Sequence, residues 1–221
     1  MSVTVIICAC LLAERGWMKV SQEHVTGRRA TRIVVDAGHG GVDPGKIGVD
    51  DSLEKDINLE IAERLKTILE QQDIQVVMTR EEDKGLYEET ASNKKAQDLK
   101  KRCSLINEGQ ADCAVSIHQN SYHEEYVKGA QVFYYGNSGD AERLAELIQT
   151  RLKEGVDPEN NRQAKANESY YLLKKTSIPV VIVECGFLSN WEEAKLLQEE
   201  EYQNRIAWAV AMGTIRYLDT R

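Results

Sequence analysis

Apolar residues along this chain fall into two patterns. Short continuous runs rich in β-branched residues occur at Arg32 to Asp36, Ile74 to Thr79, Ala114 to Ile117, Gln131 to Tyr135 and Pro179 to Val183. Runs of that length predict strands, and those at Arg32, Ala114 and Pro179 read as buried on both faces. Between them the period lengthens. Ile57, Ile61, Leu65 and Ile68 recur at spacings of four and three, predicting an amphipathic helix over Glu54 to Gln72 with Asp51 or Ser52 as its N-cap. Further helices are expected over Asp98 to Glu108 (ended by Gly109), Asp140 to Lys153, Glu192 to Glu199 and Tyr202 to Tyr217. The polar stretch Arg80 to Lys95 reads as a surface loop.

Strands alternating with helices predict an α/β fold: a three-layer domain with a central twisted, mostly parallel sheet and helices on both faces. The 221 residues suit one well-buried domain, which we place at residues 31–221. Residues 1–30 stand apart. Val3 to Leu12 is a ten-residue apolar run, and Ser21 to Arg29 is a polar tether. The run is too short to span a membrane, which takes roughly 20 residues. It has the length of a signal-peptide core but no basic region before it. We read it as the remnant of an export signal or membrane anchor; the alternative is an apolar terminus that carries no address.

The formal charge of −8, with no basic stripe, argues against a nucleic-acid partner. The five cysteines are odd in number and contain no CxxC pair, so neither a disulfide framework nor a cysteine-based zinc site is expected. Cys185 should point away from Glu184 by strand alternation and serve as a small core residue.

The candidate chemistry lies where strands hand over to loops or helices. His39 sits among Gly38, Gly40 and Gly41, His118 closes the Ala114 run, and Glu184 closes the Pro179 run. Ligand sites in α/β sheets gather at the carboxyl ends of strands, so these three can converge although far apart in the chain. Two histidines and a carboxylate are a normal protein set for catalytic zinc, with a second carboxylate free to act as general base. Glu54, at the start of its helix, reads equally as a dipole-favoured helix opener. Glu184 is catalytic, metal-bound or paired with an arginine, because a buried carboxylate is costly otherwise. Asn120, two residues beyond His118, is a candidate for positioning substrate. His123 lies among polar and aromatic neighbours and reads as exposed loop.

Seven segments carry a family resemblance. They are Asp36 to Gly45, Glu54 to Leu59, Val77 to Arg80, Arg102 with Asn107, Ala111-Asp112, Val115 to Asn120 and Val183 to Asn190. Over Thr31 to the C-terminus the chain resembles the zinc-dependent N-acetylmuramoyl-L-alanine amidases of bacterial walls, of the amidase-3 type. The resemblance implies zinc bound by His39, Glu54 and His118, and Glu184 as catalytic base. It implies peptidoglycan glycan strands with stem peptides as substrate, and action outside the cytoplasm. Lys128 to Tyr135, Arg162 to Lys165 and Tyr170 to Lys175 resemble sporulation members of the family, which strip stem peptides from spore cortex glycan before muramic-δ-lactam forms. The resemblance thus implies the intermembrane space of the developing spore as the compartment, and leaves room for an activating protein partner. Rival readings are a general autolysin, a zinc murein peptidase, a non-catalytic wall-binding module and a cytosolic hydrolase of small amides.

Overall fold

A computed structural model describes residues 30–221. The expectations for the apolar run and its tether fall outside the described residues. In chain order the elements are β1 (Arg32–Ala37), α1 (Glu54–Glu70), β2 (Gln75–Met78), α2 (Lys94–Glu108), β3 (Cys113–Asn120) and β4 (Gln131–Tyr134). There follow α3 (Gly139–Gly155), β5 (Lys165–Ala166), α4 (Tyr171–Lys175), β6 (Val180–Phe187), α5 (Trp191–Leu196) and α6 (Glu200–Asp219). The six strands form one sheet in the order β2-β1-β3-β6-β4-β5. All neighbours are parallel except β4 and β6. The fold is α/β with a mostly parallel sheet, as the alternation of periods predicts.

Period-2 alternation sorts the strand residues onto two faces. Ile33, Val35, Val115, Ile117, Val181 and Val183 join one apolar cluster with α1, α3 and α6. Val34, Ala114, Val180 and Ile182 join a smaller one with α2 and α4 through Cys103, Ile106, Leu172 and Leu173. Helices therefore cover both faces, unequally. The thinner layer leaves the carboxyl ends of the central strands open.

Three local expectations are corrected. β3 and β6 continue past the apolar runs, so His118 and Glu184 lie inside strands and not beyond their ends. Backbone pairing does not depend on side-chain polarity, and the ladder continues as His118 opposite Glu184 and Asn120 opposite Phe187. The N-cap of α1 is Leu53, without a side-chain cap, and neither Asp51 nor Ser52 fills that role. Asp50 instead takes the Ser52 hydroxyl at 2.6 Å, and the Glu54 amide donates to the Lys46 carbonyl at 3.0 Å. The stripe of α1 uses Leu69 for full burial and leaves Ile68 half-buried. The short β5 and α4 had no counterpart in the sequence reading.

Candidate active site

The turn after β1 carries His39 in the left-handed region, at φ 62°, between Gly38 and Gly40. Such a backbone is uncommon outside glycine and needs support from its surroundings. Two arginines supply it. Arg102, from α2, donates to the His39 carbonyl at 2.5 Å and the Ala37 carbonyl at 2.7 Å. Arg80 donates to the Ala37 carbonyl at 2.9 Å and the Gly38 carbonyl at 3.0 Å. Arg102 is neutralised by Asp36 at 2.6 Å and Asp98 at 2.6 Å. Burial raises the Asp36 carboxyl, but Arg102, Ser116 and Thr79 prevail and hold it at about 2.

Glu54, His39 and His118 meet above this base. Glu54 Oε1 lies 2.9 Å from His118 Nδ1 and 3.2 Å from His39 Nε2. Backbone amides of Gln119, at 3.1 Å, and Lys46, at 2.7 Å, fix the carboxylate. Burial opposes its charge, yet the hydrogen bonds from His118 and His39 hold Glu54 far below the usual carboxylate range. His118 also loses charge stability through burial, but its bond to Glu54 raises its pKa overall.

Two glycines make this convergence sterically possible. A Cβ at Gly38 would collide with the His118 imidazole. Gly45, at φ +71°, would collide with Glu54 and His39.

The donor set fits a metal ion. One ligand atom from each of His39, Glu54 and His118 lies within 4.8 Å of the others. Asp43 sits 3.1 Å from His39 Nδ1. A carboxylate on that nitrogen keeps its proton there and leaves Nε2 to coordinate.

Glu184 lies across the ladder from His118. Its Oε1 accepts the Tyr170 hydroxyl at 3.1 Å, whereas Oε2 is buried with no hydrogen-bond partner. Its recorded partner is thus a phenol and not an arginine. Burial, the dominant influence, raises its pKa, with His118 opposing and Glu54 reinforcing. Burial and the Glu184 charge also push the Tyr170 phenol upward.

The predicted residues His39, Glu54, His118, Asn120 and Glu184 all line one cavity of about 340 Å³. Asn120 Oδ1 accepts the Ser121 amide at 2.8 Å, so its amide nitrogen is the end left to act. His123 is exposed. Cys185 is buried on the opposite face, as expected. A larger depression of about 930 Å³ surrounds Trp208, Met212 and Arg205, away from every one of these residues.

Sequence reasoning missed the parts played by Tyr170, Asp43, Arg80 and Arg102. Asp43 was detectable in principle, four residues from His39 in the same turn. Arg102 interrupts the buried stripe of α2 beside Cys103 and Ile106. Tyr170 opens the Tyr170 to Lys175 segment of the resemblance, which marked its position and not its contact with Glu184.

Residues 33–216 match the Amidase_3 family of N-acetylmuramoyl-L-alanine amidases. The chain belongs to that family. It is a hydrolase of peptidoglycan, and cell-wall amidases of this family act outside the cytoplasm. The germination-specific N-acetylmuramoyl-L-alanine amidase of Bacillus subtilis is 40% identical over 188 residues, covering 84% of this chain and 78% of that protein. The CwlD amidase of Clostridioides difficile, solved in complex with the GerS lipoprotein, is 43% identical. It superposes with a TM-score of 0.84 over 86% of this chain and 100% of that one. An N-acetylmuramoyl-L-alanine amidase from Clostridium difficile 630 is 31% identical with a TM-score of 0.79, covering 88% and 100%.

Proposed function

We propose that this amidase is zinc-dependent, with His39, Glu54 and His118 as its protein ligands and Glu184 as general base. One juxtaposition carries the reading: three convergent donors stand beside a buried carboxylate oxygen, Glu184 Oε2, that has no protein partner. The Asp43 contact to His39 supports it, because metal-bound histidines usually give their other nitrogen to such a group. A bound zinc ion would supply Lewis acidity, making water a better nucleophile and polarising the amide carbonyl.

The protein side chains account for the rest. Tyr170 holds Oε1 of Glu184, which leaves Oε2 to take a proton from the attacking water. Glu184 then returns that proton to the amine of L-alanine as the bond to the lactyl carbonyl breaks. Its raised pKa suits both acceptance and return. Arg80 and Arg102 touch no reacting atom; they keep His39 in position. Asn120 orients the substrate from the cavity wall.

The physiological substrate in this reading is spore cortex glycan, where stem-peptide removal precedes muramic-δ-lactam formation. The named roles of the germination-specific and CwlD relatives support it. The setting is the intermembrane space of the developing spore, reached through the apolar N-terminus. The GerS complex of the CwlD relative motivates a protein partner for this chain as well.

Mass spectrometry of muropeptides, with zinc-loaded and with chelated protein, tests the chemistry. Free lactyl carboxylates should accumulate only with the zinc-loaded sample. Equal turnover after complete chelation would remove zinc, and cleavage inside the stem peptide would make the protein a peptidase. Deleting the gene should remove muramic-δ-lactam from cortex while vegetative wall stays normal. An unaltered cortex would return the protein to the general autolysins.

A further inference from the structure

The rim of the cleft carries aromatic residues that the chemistry above does not use. Because β4 runs antiparallel to β6, the chain leaving β3 must cross the carboxyl end of β6. There it meets the segment that follows β6. The Leu188 amide donates to the Asn120 carbonyl at 2.9 Å, the Tyr122 amide to Ser189 Oγ at 2.9 Å, and Asn190 Nδ2 to the Glu125 carbonyl at 2.7 Å. The two segments thus form one shelf, and the shelf is continuous with the cavity, which Asn120 and Ser121 line.

Three large aromatic residues on this shelf are exposed: Tyr122 at 49%, Tyr126 at 76% and Trp191 at 59%. The Tyr122 ring lies 4.2 Å from the His123 ring, centroid to centroid. Polar groups lie on the same two segments. Tyr126 donates its hydroxyl to Glu124, and Lys128 pairs with Glu192 at 3.2 Å.

We propose that Tyr122, Tyr126 and Trp191 form a stacking platform for the sugar rings of a glycan strand, extending the cleft beyond the sugar whose amide is cut. The inference rests on the peptidoglycan activity of the family, and not on zinc or on the spore setting. A pyranose presents a C–H face to an aromatic ring and keeps its hydroxyls at the edge for carboxylates and amides. Flat rings carried on the same segments as His123, Glu124, Glu125 and Glu192 match that amphipathic shape. A protein interface would bring apolar residues into a contiguous, charge-depleted centre. The substrate supplies the geometry, because the scissile amide hangs from one sugar of a polymer whose neighbours must lie along the rim.

Peptide-free glycan strands of alternating N-acetylglucosamine and N-acetylmuramic acid are the probe, since they contain no bond to cut. Their binding needs neither metal nor turnover, so it is read independently of the catalytic assignment. The protein should bind them, and Tyr122→Ala, Tyr126→Ala and Trp191→Ala should each weaken binding roughly three- to tenfold. The same variants should raise KM on intact strands while leaving kcat, and cleavage of a single muramyl peptide, within about twofold, because the acting groups are untouched. Thermal melting checks that each variant folds. Wild-type affinity for the peptide-free strands in all three variants overturns the proposal, as does an equal loss on strands and single muramyl peptide. Unchanged strand binding together with loss of a protein partner would make the shelf a protein interface.

Discussion

The two faces of the sheet are cut from the same strands and built on opposite logic. On the α1/α3/α6 face, β1, β3 and β6 contribute Ile33, Val35, Val115, Ile117, Val183 and Cys185, all fully buried. On the other face the alternate positions start apolar, with Val34, Ala114 and Ile182, and end as Asp36, Ser116, His118 and Glu184. The first face holds the fold mainly through apolar burial, with a few buried amides such as Gln149 bonding the backbone of β4 and its approach. The second buries charge, which persists only when every member is paired. Arg102 and Asp36 satisfy each other there, and Ser116 donates to Asp36 at 2.5 Å. The exception is Glu184 Oε2. Stability and chemistry are thus separated by a shift of one residue along each strand.

The sharpest way to break this contrast is at the proposed zinc ligands. His118→Ala or His39→Ala should abolish stoichiometric zinc, and activity with it, as read by metal analysis of purified protein. Unchanged zinc in both variants would sink the assignment. Glu184→Gln should lower kcat about 10²–10⁴-fold. Its zinc content and melting temperature should stay close to those of the parent, because the amide is isosteric and removes a buried charge. Near-normal hydrolysis would take Glu184 out of the mechanism, and loss of zinc would make it a ligand.

Arg102→Met tests the cost of charge on the polar face. It strands Asp36 without its cation, and breaking a buried pair in this way typically costs about 3–5 kcal/mol. Urea unfolding should register that loss. A variant as stable as the parent would mean that Asp36 is held by Ser116 and Thr79 alone. The pair also sets an acid limit. Asp36 has a folded pKa of about 2, below its ordinary 3.8, so its contribution is present above 3.8 and fades as pH falls through 2. The difference is worth about 2 kcal/mol. The stability gap between the parent and Asp36→Asn should therefore narrow by that amount between pH 5 and pH 2.

The smallest effect concerns Tyr170. Tyr170→Phe keeps the ring on Phe133, 5.7 Å away edge to face, and removes only the hydroxyl on Glu184. A hydrogen bond to a charged group contributes about 1.5–3 kcal/mol, so kcat should fall by at most roughly 10- to 100-fold. KM and zinc content should not move. A change confined to KM would make Tyr170 a substrate contact and not a positioning residue.

The sequence by itself determined the layers and the candidate site residues. Runs of β-branched residues specify strands wherever both faces are covered, and spacings of three and four specify the helices that cover them. Glycines around His39, and polar residues at the ends of apolar runs, marked His39, His118 and Glu184. The motif resemblance singled out Glu54, which periodicity alone could not distinguish from a helix opener. Tertiary structure decided the rest, because the rest consists of meetings between distant segments. Arg102 reaches the His39 carbonyl across 63 positions, and His118 reaches Glu54 across 64. Tyr170 finds Glu184 only because α4 packs on the face of β6 that carries Ile182 and Glu184. Local pattern records which residues will be buried. Which buried charge meets which partner depends on strand order and register, and the β1-β3-β6 order brought these side chains together.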